Sequence, residues 1–304
     1  LNKTYYSNGK LLLTGEYLIL DGALSLAVPT QFGQSLTIET IDKPKLIWES
    51  VDNNGIVWFE DEFSIREVAS ASSKLRNDVS KRLVQILRAV KQLNPNFLIS
   101  VAGYKVTTKL DFSLNWGLGS SSTLINNIAQ WANVDAYKLL EKTFGGSSYD
   151  IACAKYNTPI IYQLENNNRL INKVDFNPNF KDNLYFVHLN KKQNSRDGIE
   201  RYNTNKNNSD LAISEISEIT SKITNCSTLE QFEILISFHE HIISKIIKQK
   251  PIKELLFNDY KGAIKSLGAW GGDFILVTGN ANSMDYFRSK GFNTIIAYDN
   301  MVLK

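Results

Sequence analysis

The residues best suited to chemistry lie in three glycine-rich segments placed far apart in the chain. In mid-chain, Gly117-Leu118-Gly119-Ser120-Ser121-Ser122 leads into a run with Leu124, Ile128 and Trp131 at helical spacing. Two glycines let the backbone approach a bound group closely, and the amides at a helix start point outward with the positive end of the dipole. That combination suits phosphate. Serine hydroxyls there can donate to phosphate oxygens or bind magnesium, a hard cation that prefers oxygen. The same residues would also serve as a plain glycine turn with a serine N-cap. The segment is not a Walker A loop, because no lysine follows a second glycine, and Ser122 stands where a dinucleotide fingerprint needs its third glycine.

The first segment runs from Ser7 to Gly22 and sets Lys10 between Gly9 and an apolar strand. A lysine so placed keeps little freedom and can sit near a ligand, or it can be an ordinary lysine at a strand start. The third, Ser266 to Phe274, is a glycine-rich turn entering a strand, with Gly271 and Gly272 at its centre. A loop at Gln193–Gly198 carries Arg196, whose planar fork could take a carboxylate or phosphate, or simply face solvent. Asp150 reads by itself as an acid at a helix start, favoured there by the dipole. His239 and His241 are not a metal pair, since two residues apart on a helix they point to different sides. No Gly-x-Ser-x-Gly elbow occurs, so a serine hydrolase has no support.

The elements that must position these residues are legible in outline. Gln34–Ile41 alternates as a strand, and Leu46–Val51 turns at Asp52–Gly55 into Ile56–Phe59, a hairpin. Ser72 or Ser73 would cap a helix carrying Leu75 to Leu93, ended by Asn94-Pro95. Strands are expected at Phe97–Val101, Tyr104–Leu110, Pro159–Leu164, Leu184–Leu189, Asp273–Thr278 and Thr294–Tyr298. Helices are expected after Ser122, at Asp135–Phe144 and in a short stretch holding Asp150, Ile151 and Ala154. Further helices are expected at Asp210–Thr224, Thr228–Lys248, Pro251–Leu267 and Ala281–Lys290, with a polar loop at Lys191–Asn208. Irregular alternation of strands and helices favours an α+β fold.

Composition limits the function classes. The chain has 304 residues, with 34 Lys+Arg against 31 Asp+Glu, and a net charge of +3 gives no basis for a nucleic-acid surface. Hydrophobic residues at 43% are enough for a sizeable core, which excludes wholesale disorder. Cys153 and Cys226 form neither a disulfide framework nor a zinc spacing. The most apolar stretch, Leu11–Val28, contains Glu16 and Asp21, which argue against a membrane span and interrupt a signal-peptide core. A cytoplasmic protein is expected, without membrane or nucleic-acid partners.

Taken together, the three glycine-rich segments resemble the three motifs of the GHMP kinase superfamily, which includes galactokinase and the homoserine, mevalonate and phosphomevalonate kinases. Asn8-Gly9-Lys10 with Gly15-Glu16 resembles its first motif, with Asn8 for proline. Gly117 to Ser121 match its second, with Ser122 for alanine. Gly268-Ala269-Trp270-Gly271-Gly272-Asp273 is a degenerate form of its third. The run from Gly15 to Gly22 and the segment Ser147-Ser-Tyr-Asp-Ile-Ala152 resemble the mevalonate and phosphomevalonate kinase branch, and within it a bacterial subgroup with a Gly-Tyr-Asp-Ile-Ala signature.

The resemblance implies a two-domain α+β fold. Residues 1–168 would form an ATP-binding and catalytic domain of mixed β/α structure, and residues 169–304 a sandwich-like C-terminal domain. It implies ATP and Mg2+ as cofactors and transfer of the γ-phosphoryl group to a hydroxyl of a small metabolite, mevalonate first and phosphomevalonate second. A nucleotide- or metabolite-binding sensor on the same fold stays open. Asp150 would be the general base and Lys10 its cationic neighbour. Asn115, Gly117, Leu118, Gly119, Ser120, Ser121 and Ser122 would hold the nucleotide, Ser121 and Glu141 the metal. Glu16, Ser147, Arg196, Gly271 and Gly272 would face the substrate. The oligomeric state is not legible, and a homodimer stays open.

Overall fold

The computed structural model describes residues 2–65, 68, 77–99, 102–166, 168–193, 195–206 and 209–304. The strands are β1 (Lys3–Leu12), β2 (Ser25–Ile41), β3 (Lys45–Val51), β4 (Val57–Ser64), β5 (Gly103–Leu110), β6 (Ile160–Glu165), β7 (Asn168–Lys173), β8 (Leu184–His188), β9 (Ile264–Ser266), β10 (Phe274–Thr278) and β11 (Ile295–Ala297). The helices are α1 (Asp78–Leu93), α2 (Ser120–Ala132), α3 (Ala136–Glu141), α4 (Tyr149–Tyr156), α5 (Ser195–Asn205), α6 (Asp210–Asn225), α7 (Leu229–Ile247), α8 (Ile252–Leu256), α9 (Asp285–Ser289) and α10 (Tyr298–Met301).

The chain divides into two compact units that are discontinuous in sequence. The first comprises Leu1–Gly9, Phe32–Leu114 and Gly119–Lys155, and the second Lys10–Gln31, Asn115–Leu118 and Tyr156–Lys304. Strands β1 and β2 run through both. In the first unit the sheet order is β4-β3-β5-β2, with β3 parallel to β5 and the other pairs antiparallel. Helix α1 lays Leu83, Val84, Ile86, Leu87 and Val90 onto the core with Leu46, Trp48, Val106, Ile125 and Ile128. Its N-cap is Asn77, whose side chain accepts the Ser80 amide at 2.9 Å. The expected cap at Ser72 or Ser73, and Leu75, lie outside the described residues.

In the second unit the start of β2 pairs with β6, which pairs with β7. The expected boundary between residues 168 and 169 falls within that hairpin, where Glu165 is registered against Asn168. A second, antiparallel sheet has the order β11-β8-β10-β9. Its core joins Val187, Ile275 and Val277 to Phe257, Tyr260 and Phe287.

Four expectations differ from the structure. Phe97 and Leu98 lie in a turn, not a strand, and Leu98 has φ +55°; residues 100 and 101 fall outside the described set. The polar stretch 191–208 contains helix α5, which buries Tyr202 completely although few other residues in it are apolar. The helix expected over 251–267 stops after Leu256, and Ile264–Ser266 is a strand, because the intervening Asn258-Asp-Tyr-Lys-Gly262 is turn chemistry. Strand β2 begins at Ser25, well before the alternating stretch, because Ser25–Thr30 is buried throughout and so does not alternate.

Candidate active site

Parts of the three glycine-rich segments meet in the second unit. Lys10, on β1, donates its amide to the Leu118 carbonyl at 3.0 Å. Asn115 presents its carbonyl to His188 Nε2 at 3.1 Å, and the Asn190 amide at 3.3 Å from Nδ1 marks Nε2 as the protonated nitrogen. Trp116 packs edge-on against Phe274, with ring centroids 5.5 Å apart. Gly117 has φ +67°, and a Cβ there would lie 2.5 Å from Asp273 Cγ. Only glycine fits, because the position combines a left-handed backbone with a closed space.

In the first unit the segment continues into α2. Gly119 is its N-cap at φ 89°, and the Thr123 amide donates to the Gly119 carbonyl at 3.0 Å. The amides of Ser120, Ser121 and Ser122 therefore precede the first intrahelical bond and belong to the orphan donors of the helix start. The three hydroxyls divide. Ser122 is buried and donates to the Gly119 carbonyl at 2.8 Å, whereas Ser121 is exposed. Ser122 can thus serve an anion through its amide, while Ser121 has a hydroxyl open to a ligand.

A polar network in the same unit fixes the helix that carries Asp150. Ser7 Oγ donates to Asn127 Oδ1 at 2.6 Å. Asn126 Nδ2 donates to Ser7 Oγ at 2.9 Å and to the Ala154 carbonyl on α4 at 3.3 Å. Asp150 stands in the first turn of α4, half-buried, with Oδ1 shielded from solvent. Ser147 and Ser148 before it are buried, and Ser148 has φ +70°, the conformation that glycine would take without strain. Glu141 is exposed at the end of α3. Among the described residues no group of three His, Cys, Asp or Glu could hold a metal by itself.

Glu16 of the first motif is fully enclosed in the second unit. It pairs with Lys265 Nζ through Oε1, and its Oε2 lies 3.3 Å from His239 Nε2. Lys265 also lies 3.7 Å from Glu240 Oε1, and Glu240 Oε2 accepts from Ser266 Oγ at 2.9 Å. The Gly15 amide donates to His239 Nε2 at 2.9 Å, so that nitrogen carries no proton. Burial holds His239 well below its ordinary pKa, and burial raises Glu16 and pushes Glu240 up to about 8. Sequence reasoning missed Lys265 and Glu240. A single lysine inside the apolar run Ala263–Leu267 was the available signal. His239 is a core histidine, and His241 is exposed.

The third segment is wound through left-handed conformations at Gly268, Trp270, Gly271 and Asp273. Gly272 packs against Lys191 and Gln193, and Gly271 approaches the Gln249 side chain. Trp270 is wholly buried. Arg196 stands in the first turn of α5, and its side chain lies outside what the structure describes. In the same helix Gly198 faces the Tyr17 hydroxyl, and Tyr202 stacks on Tyr17 at 5.9 Å.

No family model and no curated protein matches the chain. Solved structures do. Mevalonate kinase of Methanococcus jannaschii is similar at TM-score 0.74 and 16% identity, covering 97% of both chains. Phosphomevalonate kinase of Streptococcus pneumoniae, in complex with phosphomevalonate and AMPPNP, gives 0.71 and 14%, covering 97% of this chain and 99% of that one. Galactokinase of Lactococcus lactis, complexed with galactose, gives 0.67 and 13%, covering 99% and 93%. The chain has the two-domain GHMP kinase fold. Among the described residues no helix is long and apolar enough to cross a membrane.

Proposed function

We propose that this chain is an ATP- and Mg2+-dependent kinase that transfers the γ-phosphoryl group to a hydroxyl of a small metabolite, with mevalonate as the leading acceptor. The observation that carries the reading is the hydrogen bond from Lys10 to Leu118, which fastens the first motif to the second just before the open amides of α2. Phosphoryl transfer asks mainly for positioning and charge neutralisation, and these residues are of the types that provide both.

In this reading the amides of Ser120, Ser121 and Ser122 hold phosphate oxygens, and Gly117 and Gly119 keep the segment free of side chains. The Ser121 hydroxyl and the Glu141 carboxylate would hold magnesium. Two protein oxygens suit that ion, which takes its other ligands from phosphates and water. When bound, it neutralises phosphate charge. Asp150 accepts the proton of the acceptor hydroxyl, and the Lys10 ammonium stabilises the negative charge that develops. Ser147, Arg196, Gly271 and Gly272 remain on the acceptor side. Glu16, engaged by Lys265, acts by shaping the turn at Gly15 rather than by touching the acceptor.

A phosphorylated acceptor such as phosphomevalonate is the second reading, favoured by Lys191 and Lys192, both exposed, which precede Arg196. Coupled ADP release against a panel of small alcohols and their phosphates tests these alternatives. Release that depends on mevalonate supports the first and release that depends on phosphomevalonate the second. ATP binding without turnover on any acceptor would leave a sensor.

A further inference from the structure

Asp273 closes the third glycine-rich segment, and its backbone lies in the left-handed conformation that glycine takes without strain, φ +56°. Both of its main-chain groups are tied down. The amide donates to the Lys191 carbonyl at 2.7 Å, and the carbonyl accepts the Leu189 amide at 2.8 Å. The residue is 7% exposed, and its side chain lies against Gly117, where an added Cβ would be 2.8 Å from Oδ1 and 2.7 Å from Oδ2. The Gln193 amide approaches Oδ1 at 3.4 Å. Burial raises the pKa of this acid, while the Gln193 amide and the charges of Lys10 and Lys192 draw it back down. A non-glycine residue held in a left-handed turn costs stability, and such outliers gather where a side chain has a task.

We propose that Asp273 sets the affinity of the Gly117 segment for polyphosphate, its negative charge weakening the hold on the anion so that the product nucleotide leaves readily. The inference rests on reading the segment as phosphate-binding. A fixed negative charge against a segment that holds a polyanion opposes binding, and Lys10 and Lys192 reduce that opposition without removing its source. Were Asp273 instead needed to hold Lys10 in place, its removal would weaken binding, so the two roles predict opposite signs.

The test is calorimetric titration of the full chain with tripolyphosphate and with ADP, comparing the unaltered protein with Asp273→Asn and Asp273→Gly. The glycine variant relieves the backbone, and its Tm reports that the fold is kept. Both variants are expected to bind the two probes about tenfold more tightly at low salt. The gain should shrink as added salt screens the charge, a dependence that a purely structural effect would not show. Unchanged or weaker binding by two folded variants overturns the inference. Tighter tripolyphosphate binding without turnover of ATP on any acceptor retains it and removes the kinase reading. Failure of all three proteins to bind either probe overturns both.

Discussion

The amide of Lys10 donates to the carbonyl of Leu118 at 3.0 Å, joining the first glycine-rich segment to the second. The next residue back, Gly117, carries the tightest steric demand of the second segment. Gly117→Ala sets a methyl 2.5 Å from Asp273 Cγ on a backbone at φ +67°. We expect it to cost about 1–3 kcal/mol of stability and to weaken nucleotide binding. Thermal unfolding and ADP titration check this. The double variant with Asp273→Gly should recover part of the loss, since the clash goes and only the strained backbone remains.

Asp150 heads α4, which Asn126 ties to α2 through the Ala154 carbonyl. Asp150→Asn keeps the shape and removes the base. Turnover should fall at least about 10²-fold with nucleotide affinity nearly unchanged. Steady-state kinetics beside ADP titration would show it, and an undiminished kcat would take Asp150 out of the mechanism.

The neighbouring hydroxyls of Ser121 and Ser122 should separate function from stability. Ser121→Ala removes an exposed hydroxyl and is expected to raise the magnesium concentration needed for half-maximal rate, with the Tm unchanged. Ser122→Ala removes the hydrogen bond to the Gly119 carbonyl and should cost about 0.5–1.5 kcal/mol without shifting the magnesium requirement. Identical responses of the two variants would count against the assignment of Ser121.

The buried cluster around Lys265 makes stability depend on pH. Burial pushes Glu240 from its ordinary 4.5 up to about 8, so the native state keeps a proton that the unfolded chain gives up. This contribution is fully present below about 4.5 and is lost as pH rises through the folded value. His239, held neutral by burial, contributes the opposite slope below 6.5, where the unfolded chain gains a proton. Urea unfolding at a series of pH values should therefore show a decline toward pH 8 that is smaller in Glu240→Gln, where the raised Glu16 alone remains. Equal slopes for both proteins would place the retained proton elsewhere.

The local elements around the candidate site were legible because they are short-range devices. A glycine pair before a serine run announces a helix start wherever the chain folds, and Gly117 to Ser122 became one. Asp150 stands at the helix start expected for it, and its role as base comes only from the resemblance. What could not be read depends on partners remote in sequence. Glu16 faces Lys265 and His239, and no local pattern links them. Asp273 lies against Gly117 through the winding of a turn whose left-handed residues include Trp270, a type that gives no such signal. Helix α5 escaped because its buried face rests on little more than Tyr202 and Gly198, too few positions to set a period. Strand β2 was read short because burial on both faces of its first half erases the alternation.

The central claim is that a phosphoryl group passes from ATP to a small hydroxylated acceptor under the care of Asp150. Incubation with γ-labelled ATP, magnesium and mevalonate, followed by separation of the products, tests it most directly. Label is expected in phosphorylated mevalonate with the unaltered chain and almost none with Asp150→Asn. Label appearing only as inorganic phosphate, or equal transfer by the two proteins, would contradict it.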